Sequence, residues 1–152
     1  MYKVGFVGLG AMGLPMAVNI ALSGVETMVF NRTKGKAAAA LKAGAREADS
    51  IEKLFEWADI VVLMLSGPDA IESIIDSAAN IGTQIIQGKT IVNMGTNPPE
   101  YTRNLAKRLN DNGFDFVDAP VFGTKVVAEQ RKLIIMASGL DAKIANLSTL
   151  FD

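Results

Sequence analysis

The sequence predicts an α/β fold: one doubly wound domain with a mainly parallel sheet and helices on both faces. Short apolar runs alternate with helical segments along the whole chain, which is typical of repeated strand–helix units. The run at residues 60–65, Ile-Val-Val-Leu-Met-Leu, has no polar alternation, so it suits a strand covered on both faces. A chain of 152 residues that is 49% hydrophobic and 20% charged can bury the core that such a sheet needs.

The first 33 residues set the pattern. An apolar run at residues 2–7 leads into a glycine turn, and a helix follows at residues 14–23, where Gly24 ends it. A second apolar run occupies residues 27–30. Strand, glycine turn, helix and strand, in this order and within about 30 residues, form a dinucleotide-binding unit, so the predicted fold is Rossmann-like.

Each glycine of the turn has a physical role in this interpretation. Gly8 lets the chain turn sharply off the strand, Gly10 lets a pyrophosphate approach the backbone, and Gly13 lets the helix pack closely. The free N–H groups at the helix start, where Pro15 is tolerated, would receive the phosphates. The alternative is a tight loop in a glycine-rich chain, but the flanking strands favour the nucleotide site. The turn consists of Gly8, Leu9, Gly10, Ala11, Met12 and Gly13.

The residues after the second strand indicate NADP rather than NAD. A carboxylate normally stands here to bind the adenosine ribose of NAD, and it would repel a 2′-phosphate. This chain has Asn31, Arg32 and Thr33 instead, and Arg32 can bind a phosphate through paired hydrogen bonds. Alternatively, Thr33 is the N-cap of the next helix and Arg32 an ordinary solvated arginine. The two interpretations are compatible, because capping and phosphate binding use the same helix start.

The remaining elements continue the alternation. We expect helices at residues 34–43, ended by Gly44, at 51–57, with an N-cap offered by Asp49-Ser50, at 68–76, at 100–109, and from an N-cap at Asp141 to the end of the chain. We expect strands at residues 60–65, 90–93, 114–117 and 133–138, and we assign no structure to residues 78–88. Trp57 is expected to pack rather than bind. Without linker or repeat, residues 1–152 form one domain.

The composition excludes several kinds of chemistry. Without cysteine there is no disulfide, thiol nucleophile or cysteine-type zinc site, and without histidine the commonest metal ligand is missing, so no metal is expected. Proton transfer would fall to Lys, Asp, Glu or Tyr. With a net charge of −1, the chain has no excess of positive charge that would indicate binding to nucleic acid or to an anionic membrane. The apolar run at 60–65 is far shorter than the ~20 residues of a membrane helix. Because the chain start runs directly into a strand, we expect a cytoplasmic protein without a signal peptide.

Two long motifs carry a resemblance to a known family. They are the stretch from Gly5 to Asn19, Gly-Phe-Val-Gly-Leu-Gly-Ala-Met-Gly-Leu-Pro-Met-Ala-Val-Asn, and the stretch from Asp118 to Lys125, Asp-Ala-Pro-Val-Phe-Gly-Thr-Lys. With them the chain resembles the β-hydroxyacid dehydrogenase family, which includes 3-hydroxyisobutyrate and 6-phosphogluconate dehydrogenases. The pattern is most similar to that of NADP-dependent glyoxylate/succinic semialdehyde reductases.

The resemblance implies a role for each matching residue. The glycine turn at residues 8–13 would bind the pyrophosphate, and Asn31, Arg32 and Thr33 match members that use NADP. Met64 and Leu65 would flank the cofactor with their backbone, and Thr96 would help hold its nicotinamide half. The carboxylate of a small substrate would be gripped by the segment of Phe122, Gly123, Thr124 and Lys125.

The chain departs from the family pattern in three ways. Phe122 stands where a substrate-binding serine is expected, and a phenyl ring cannot donate a hydrogen bond. Carboxylate binding would then rest on Gly123, Thr124 and Lys125, unless Phe122 simply packs against a neighbouring domain. Gln130 and Arg131 replace a glycine turn. The family's catalytic lysine, in a Gly-x-x-x-Lys-x-x-Asn motif, and its all-α substrate and dimerisation domain do not occur in these residues.

The resemblance therefore implies the NADP-binding domain of a longer oxidoreductase that acts on a small β-hydroxyacid or semialdehyde. The full-length enzyme would be a homo-oligomer, and this domain alone would be inactive. Lys125 is the nearest candidate acid in the chain, although a solvated or substrate-steering lysine is the preferred interpretation. One alternative is a non-catalytic NADPH-binding sensor or regulatory module. Another is a dehydrogenase class that shares only the fold, but the Asp118-Ala119-Pro120-Val121 match argues against it.

Overall fold

The computed structural model describes residues 2–79 and 87–151 and confirms the predicted α/β class. Six parallel strands form the main sheet in the order β3-β2-β1-β4-β5-β6. They are β1 Val4–Val7, β2 Thr27–Phe30, β3 Arg46–Glu47, β4 Ile60–Leu63, β5 Thr90–Asn93 and β6 Asp115–Asp118. A small antiparallel sheet pairs β7 Val121–Phe122 with β8 Ile134–Ile135.

The helices connect these strands and cover both faces of the main sheet. They are α1 Gly13–Leu22, α2 Ala38–Lys42, α3 Ile51–Trp57, α4 Pro68–Ala79, α5 Pro99–Asp111, α6 Lys125–Glu129, α7 Asp141–Asn146 and α8 Ser148–Phe151. The core is accordingly divided in two: α1, α2 and α6 contribute to one cluster of buried residues, and α3, α4 and α5 to the other. No helix in the described ranges is long and apolar enough to cross a membrane.

Side-chain alternation explains why the central strands carry no polar positions. In β4, Ile60 and Val62 belong to one core cluster, while Val61 and Leu63 belong to the other. Successive side chains of a strand point to opposite faces, and here both faces are covered by helices. The unbroken apolar run that predicted this strand is therefore a direct consequence of double coverage.

The register of the parallel strands determines which chain segments meet at the carboxyl edge of the sheet. Val7, the last residue of β1, pairs with Phe30 on one side and with Leu63 on the other. The chain segments that follow β1, β2 and β4 therefore begin side by side at the carboxyl edge of the sheet. Further along the same edge, Leu63 pairs with Asn93, and Asn93 pairs with Asp118.

Cation–π contacts form at the opposite, amino edge of the sheet. The Nζ of Lys3 and the guanidinium of Arg46 each lie 5.7 Å from the Trp57 ring centroid. Trp57 is partly buried and also packs against the core cluster beneath α3, α4 and α5, which confirms its predicted packing role. Lys89 donates to the carbonyl oxygen of Ala58 at 2.5 Å, and burial lowers the pKa of this lysine.

Two predicted helix starts are wrong. The helix expected at residues 34–43 begins only at Ala38, and the N-cap position is Ala37 rather than Thr33. Gly35, at φ +80°, interrupts the alanine-rich stretch, and the Thr33 carbonyl is occupied by a side-chain hydrogen bond. Asp141 is the first helical residue of α7 rather than its cap, and α7 ends at Asn146 instead of running to the end of the chain.

Other elements agree with the prediction or shift by a few residues. The strand at 90–93 and the helix at 51–57 have the predicted bounds, and the Lys53 amide donates to the capping Ser50 at 3.3 Å. In the predicted strand at 133–138, only Ile134–Ile135 forms a strand, and Ser138 adds an isolated bridge to Asp118. Of the unassigned stretch 78–88, residues 80–86 lie outside the described residues.

The turn after β1 leaves no room for a side chain at Gly13, so Gly13→Ala is expected to destabilise the domain by about 1–3 kcal/mol. A Cβ there would collide with the carbonyl oxygen of Gly8 and lie 3.2 Å from Cε1 of Phe6. Urea unfolding measures the difference. Gly10→Ala is the matched control, because nothing lies within 4 Å of a Cβ at that position. Equal losses for the two variants would contradict the steric argument.

Candidate nucleotide-binding site

The crevice between β1 and β4 is the topological switch point of the sheet. From β1 the chain runs outward in one direction through β2 and β3, and in the other through β4, β5 and β6. Open α/β sheets bind ligands at this point, outside the carboxyl ends of the strands. Gly8 and Met64 stand directly at this crevice, because they follow the paired residues Val7 and Leu63.

The glycine turn fits tightly against β2 and β4. Gly8 has φ +100°, and its amide donates to the Phe30 carbonyl at 3.0 Å. A Cβ on Gly8 would strike the carbonyl oxygen of Met64 and approach Cδ2 of Leu65 to 3.0 Å. Both the backbone angle and the space therefore require glycine at this position.

In contrast to Gly8, the middle of the turn is open. The place of a Cβ at Gly10 has no atom within 4 Å. In the described part of the chain, no acceptor takes the amides of Gly10, Ala11 or Met12, and no side chain caps the start of α1. Free amides at the positive end of a helix dipole bind phosphate groups. The donor set and the open space fit a dinucleotide pyrophosphate.

The loop after β2 lies against this turn. Oδ1 of Asn31 accepts the Leu9 amide at 2.8 Å, and Nδ2 of Asn31 donates to the Thr33 carbonyl at 2.8 Å. Arg32 and Thr33 are exposed, and Arg32 forms no ion pair with any described residue. Nζ of Lys34 lies 6.0 Å from the Phe30 ring centroid. Asn31 thus joins the turn to the loop that carries the unpaired Arg32.

The ends of β4 and β5 approach each other closely. A Cβ on Gly95 would lie 2.7 Å from the Leu65 carbonyl oxygen, so only glycine allows the two segments to pack at this distance. Met64 donates its amide to the Val7 carbonyl at 2.9 Å and is half-buried, as is Leu65. Thr96 follows Gly95 and is exposed. The predicted residues of this edge therefore share one rim of the crevice.

A polar network that the sequence did not predict lies beside this rim. Asn93 is 1% exposed and donates from Nδ2 to the Asp118 carboxylate at 2.6 Å. Asn97 donates to Oδ1 of Asn93 at 3.4 Å, and its own Oδ1 is buried without a partner among the described residues. The available signal was an asparagine that ends a strand predicted to be buried. Burial raises the pKa of Asp118, and the hydrogen bond from Asn93 opposes this shift.

The predicted substrate segment lies after β6 and offers few donors. Phe122 is 55% exposed and pairs across the small sheet with Ile134, which is 67% exposed, so the ring is not buried within this domain. Gly123 has φ +146°, and Thr124 stands at the N-cap position of α6 without a side-chain cap bond. Lys125 pairs with Glu129 at 3.4 Å, so its charge is partly neutralised.

The turn after α6 shows the effect of the missing glycine. Arg131 has φ +57°, a left-handed conformation that costs a residue with a Cβ roughly 1 kcal/mol. Asn19 of α1 donates from Nδ2 to the Ala128 carbonyl at 2.8 Å and ties α6 to the helix of the glycine turn. The small sheet and α6 are thereby anchored to the nucleotide-binding unit.

A parallel sheet in this strand order, with a glycine turn at its switch point, defines a dinucleotide-binding domain of the Rossmann type. No cluster of three or more potential His, Cys, Asp or Glu metal ligands occurs in the ranges 2–79 and 87–151. Residues 3–152 match the family model described as the NAD binding domain of 6-phosphogluconate dehydrogenase. The chain belongs to this family and is an NAD(P)-binding domain of the β-hydroxyacid dehydrogenase type.

Relatives agree with this assignment, and a solved structure shares the fold. The chain is 34% identical over 151 residues to the 2-hydroxy-3-oxopropionate reductase of Escherichia coli, covering 99% of this chain and 51% of the reductase. It is 33% identical over 150 residues to glyoxylate/succinic semialdehyde reductase 1 of Arabidopsis thaliana, covering 99% and 52%. The 3-hydroxyisobutyrate dehydrogenase of Mycobacterium tuberculosis, solved with L-serine, shares the fold at a TM-score of 0.91 and 22% identity, covering 99% of this chain and 51% of that one. The chain thus spans about half the length of these relatives.

Filling the open position of the turn should block a pyrophosphate without disturbing the fold. We expect Gly10→Ala to weaken binding of NADPH and NADH alike by at least about tenfold, which corresponds to ~1.4 kcal/mol. The new methyl group would occupy the space that the phosphates need, because that space is otherwise empty. Isothermal titration calorimetry measures both affinities. Unchanged affinities would mean that the pyrophosphate does not lie over Gly10.

The partly buried carboxyl of Asp118 predicts a specific pH dependence of stability. Because its pKa lies above the ordinary value of 3.8, the unfolded chain loses this proton first as the pH rises. The wild type therefore loses stability from about pH 3.8 until the pH has passed the folded-state pKa. Asp118→Asn does not titrate, and its Oδ1 can still accept from Asn93. Its free energy of unfolding, measured in urea from pH 3 to 7, should rise relative to wild type over that window and then level off. A constant difference would contradict the raised pKa.

Proposed function

We propose that this domain binds NADP(H) in a longer oxidoreductase that acts on a small β-hydroxyacid or semialdehyde. The reaction would be hydride transfer between the nicotinamide and the carbonyl or alcohol carbon of the substrate. The observation that carries the proposal is the contact of an open glycine turn with a loop that presents an unpaired arginine. A dinucleotide whose pyrophosphate lies on the turn would bring its adenosine ribose to this loop.

The choice of NADP over NAD rests on the charge of the loop. No carboxylate follows β2, and Asn31 already uses both polar atoms of its side chain within the protein. Arg32 is exposed and free of ion pairs in the part of the chain that the structure describes, so it is available for a 2′-phosphate. Thr33 adds an exposed hydroxyl, and Lys34 adds a second positive charge. An arginine–phosphate pair of this kind is charge-assisted and can be bidentate.

The other predicted residues take their roles from the same arrangement. In this proposal residues 8–13 bind the pyrophosphate, Met64 and Leu65 flank the cofactor, and Thr96 contacts its nicotinamide half. The substrate carboxylate would meet Gly123, Thr124 and Lys125 beside Phe122. The general acid would be a lysine in the part of the protein that follows these residues, within an all-α domain that also forms a homo-oligomer. We propose a cytoplasmic location for the whole protein.

Removal of the Arg32 guanidinium is the direct test of cofactor choice. We expect Arg32→Ala to weaken NADPH binding by about 1.5–3 kcal/mol, the range for hydrogen bonds to charged groups. NADH carries no 2′-phosphate, so its affinity should stay the same. Calorimetric titration of the isolated domain gives both values. Arg103→Ala, which removes an exposed arginine on α5, is the control and should change neither affinity. Equal losses for NADPH and NADH in Arg32→Ala would refute the 2′-phosphate role.

A non-catalytic NADPH-binding module is the second candidate. Two observations favour it: Phe122 supplies no hydrogen-bond donor, and Lys125 is paired with Glu129. The coding sequence beyond codon 152 separates the candidates. A downstream Gly-x-x-x-Lys-x-x-Asn motif, together with NADPH oxidation by the full-length protein on semialdehydes, would support the enzyme. Tight NADPH binding without turnover, and without such a lysine, would support the module.

A further inference from the structure

Asn31 has both polar atoms of its side chain engaged by backbone groups of two different segments. Its Oδ1 accepts the amide of Leu9 in the glycine turn at 2.8 Å. Its Nδ2 donates to the carbonyl of Thr33, at the far side of Arg32, also at 2.8 Å. Leu9 is buried, 3% exposed, so its amide would otherwise be a buried donor without a partner. Both polar atoms of the Asn31 side chain are therefore used in hydrogen bonds within the protein.

The bond from Leu9 to Asn31 continues the β1–β2 pairing beyond the ends of the strands, and the bond from Asn31 to Thr33 fixes the loop after β2 locally. The register ends with Val7 opposite Phe30, and one further backbone bond joins the Gly8 amide to the Phe30 carbonyl. Among the described side chains, Asn31 alone hydrogen-bonds to residues 8–13. The loop that carries Arg32 is therefore fixed to the turn through this single side chain.

We propose that Asn31 is a positioning residue that holds Arg32 at a fixed offset from the glycine turn. This inference rests on the proposed NADP site and adds to it a source of selectivity. NADP(H) would contact the turn with its pyrophosphate and the loop with its 2′-phosphate at the same time. If the two segments are already held in place, binding does not have to order them, and more of the interaction energy appears as affinity.

The amide group suits this task better than a carboxylate. An aspartate could accept the Leu9 amide, but it would turn a negative oxygen toward the Thr33 carbonyl and toward a 2′-phosphate. Asparagine supplies one acceptor and one donor without charge. Asn31, which replaces the usual ribose-binding acid, thus connects the glycine turn to the loop that carries Arg32. Arg32 supplies the positive charge.

Two ligands of different reach test the inference. NADPH spans the turn and the loop, whereas adenosine 2′-monophosphate reaches only the loop. We expect Asn31→Ala to weaken NADPH binding by about tenfold, from the loss of two hydrogen bonds, and to change binding of the monophosphate by less than about twofold. Calorimetry measures the first affinity, and NMR titration the second. Asn31→Ser, whose shorter side chain cannot reach both partners, is the second variant if Asn31→Ala does not fold.

Hydrogen exchange in the ligand-free domain tests the same inference without any ligand. Hydrogen exchange of the Leu9 amide should accelerate in Asn31→Ala and stay unchanged in Asn110→Ala, which removes an exposed asparagine of α5. Arg32→Ala should weaken both ligands by the same factor, because the guanidinium would contact the phosphate of each.

Two outcomes would overturn the positioning role. Equal losses of both ligands in Asn31→Ala would make Asn31 a direct phosphate ligand, and unchanged NADPH affinity would make the two bonds irrelevant to binding. Failure of the proposed function looks different. Wild-type protein that binds NADPH no more tightly than NADH overturns the NADP site and this inference together.

Discussion

The contact between Gly13 and the carbonyl of Gly8 is the constraint on which the nucleotide site depends. It allows α1 to start immediately behind the turn, so the helix axis points its free amides across the carboxyl edge of the sheet. On its other side Gly8 lies against Met64, which the pairing of β1 with β4 places there. A larger residue at Gly13 would move the helix away from Gly8, and the free amides of its first turn would move with it.

Local signals in the sequence were sufficient for much of the fold and for the turn itself. The glycine spacing, the N-cap before the helix at 51–57 and the strand at 90–93 all depend on neighbouring residues, so the sequence pattern predicts them directly. The alanine-rich stretch after Thr33 shows where helix propensity fails. Asn31 binds the Thr33 carbonyl and Gly35 adopts a positive φ, so residues 34–37 stay in a loop although they were predicted to be helical.

Contacts between distant segments could not be predicted from the sequence. Asn93 and Asp118 are 25 residues apart, and the register of β5 with β6 alone brings their side chains together. The bond from Leu9 to Asn31 depends in the same way on the register of β1 with β2. The sequence indicates which residue types stand at the edge of the sheet. Which of their atoms meet is decided by strand alignment, which no short motif encodes.

Trp57 is a fluorescent probe of the amino edge of the sheet. The indole lies at the amino edge between Lys3 and Arg46, a full strand length of about 13 Å from the carboxyl edge where the glycine turn stands. Its emission is set by the cations and helices around it and reflects whether that end of the sheet is intact. In the cofactor-free domain, tryptophan emission can therefore report whether the amino edge of the sheet is folded.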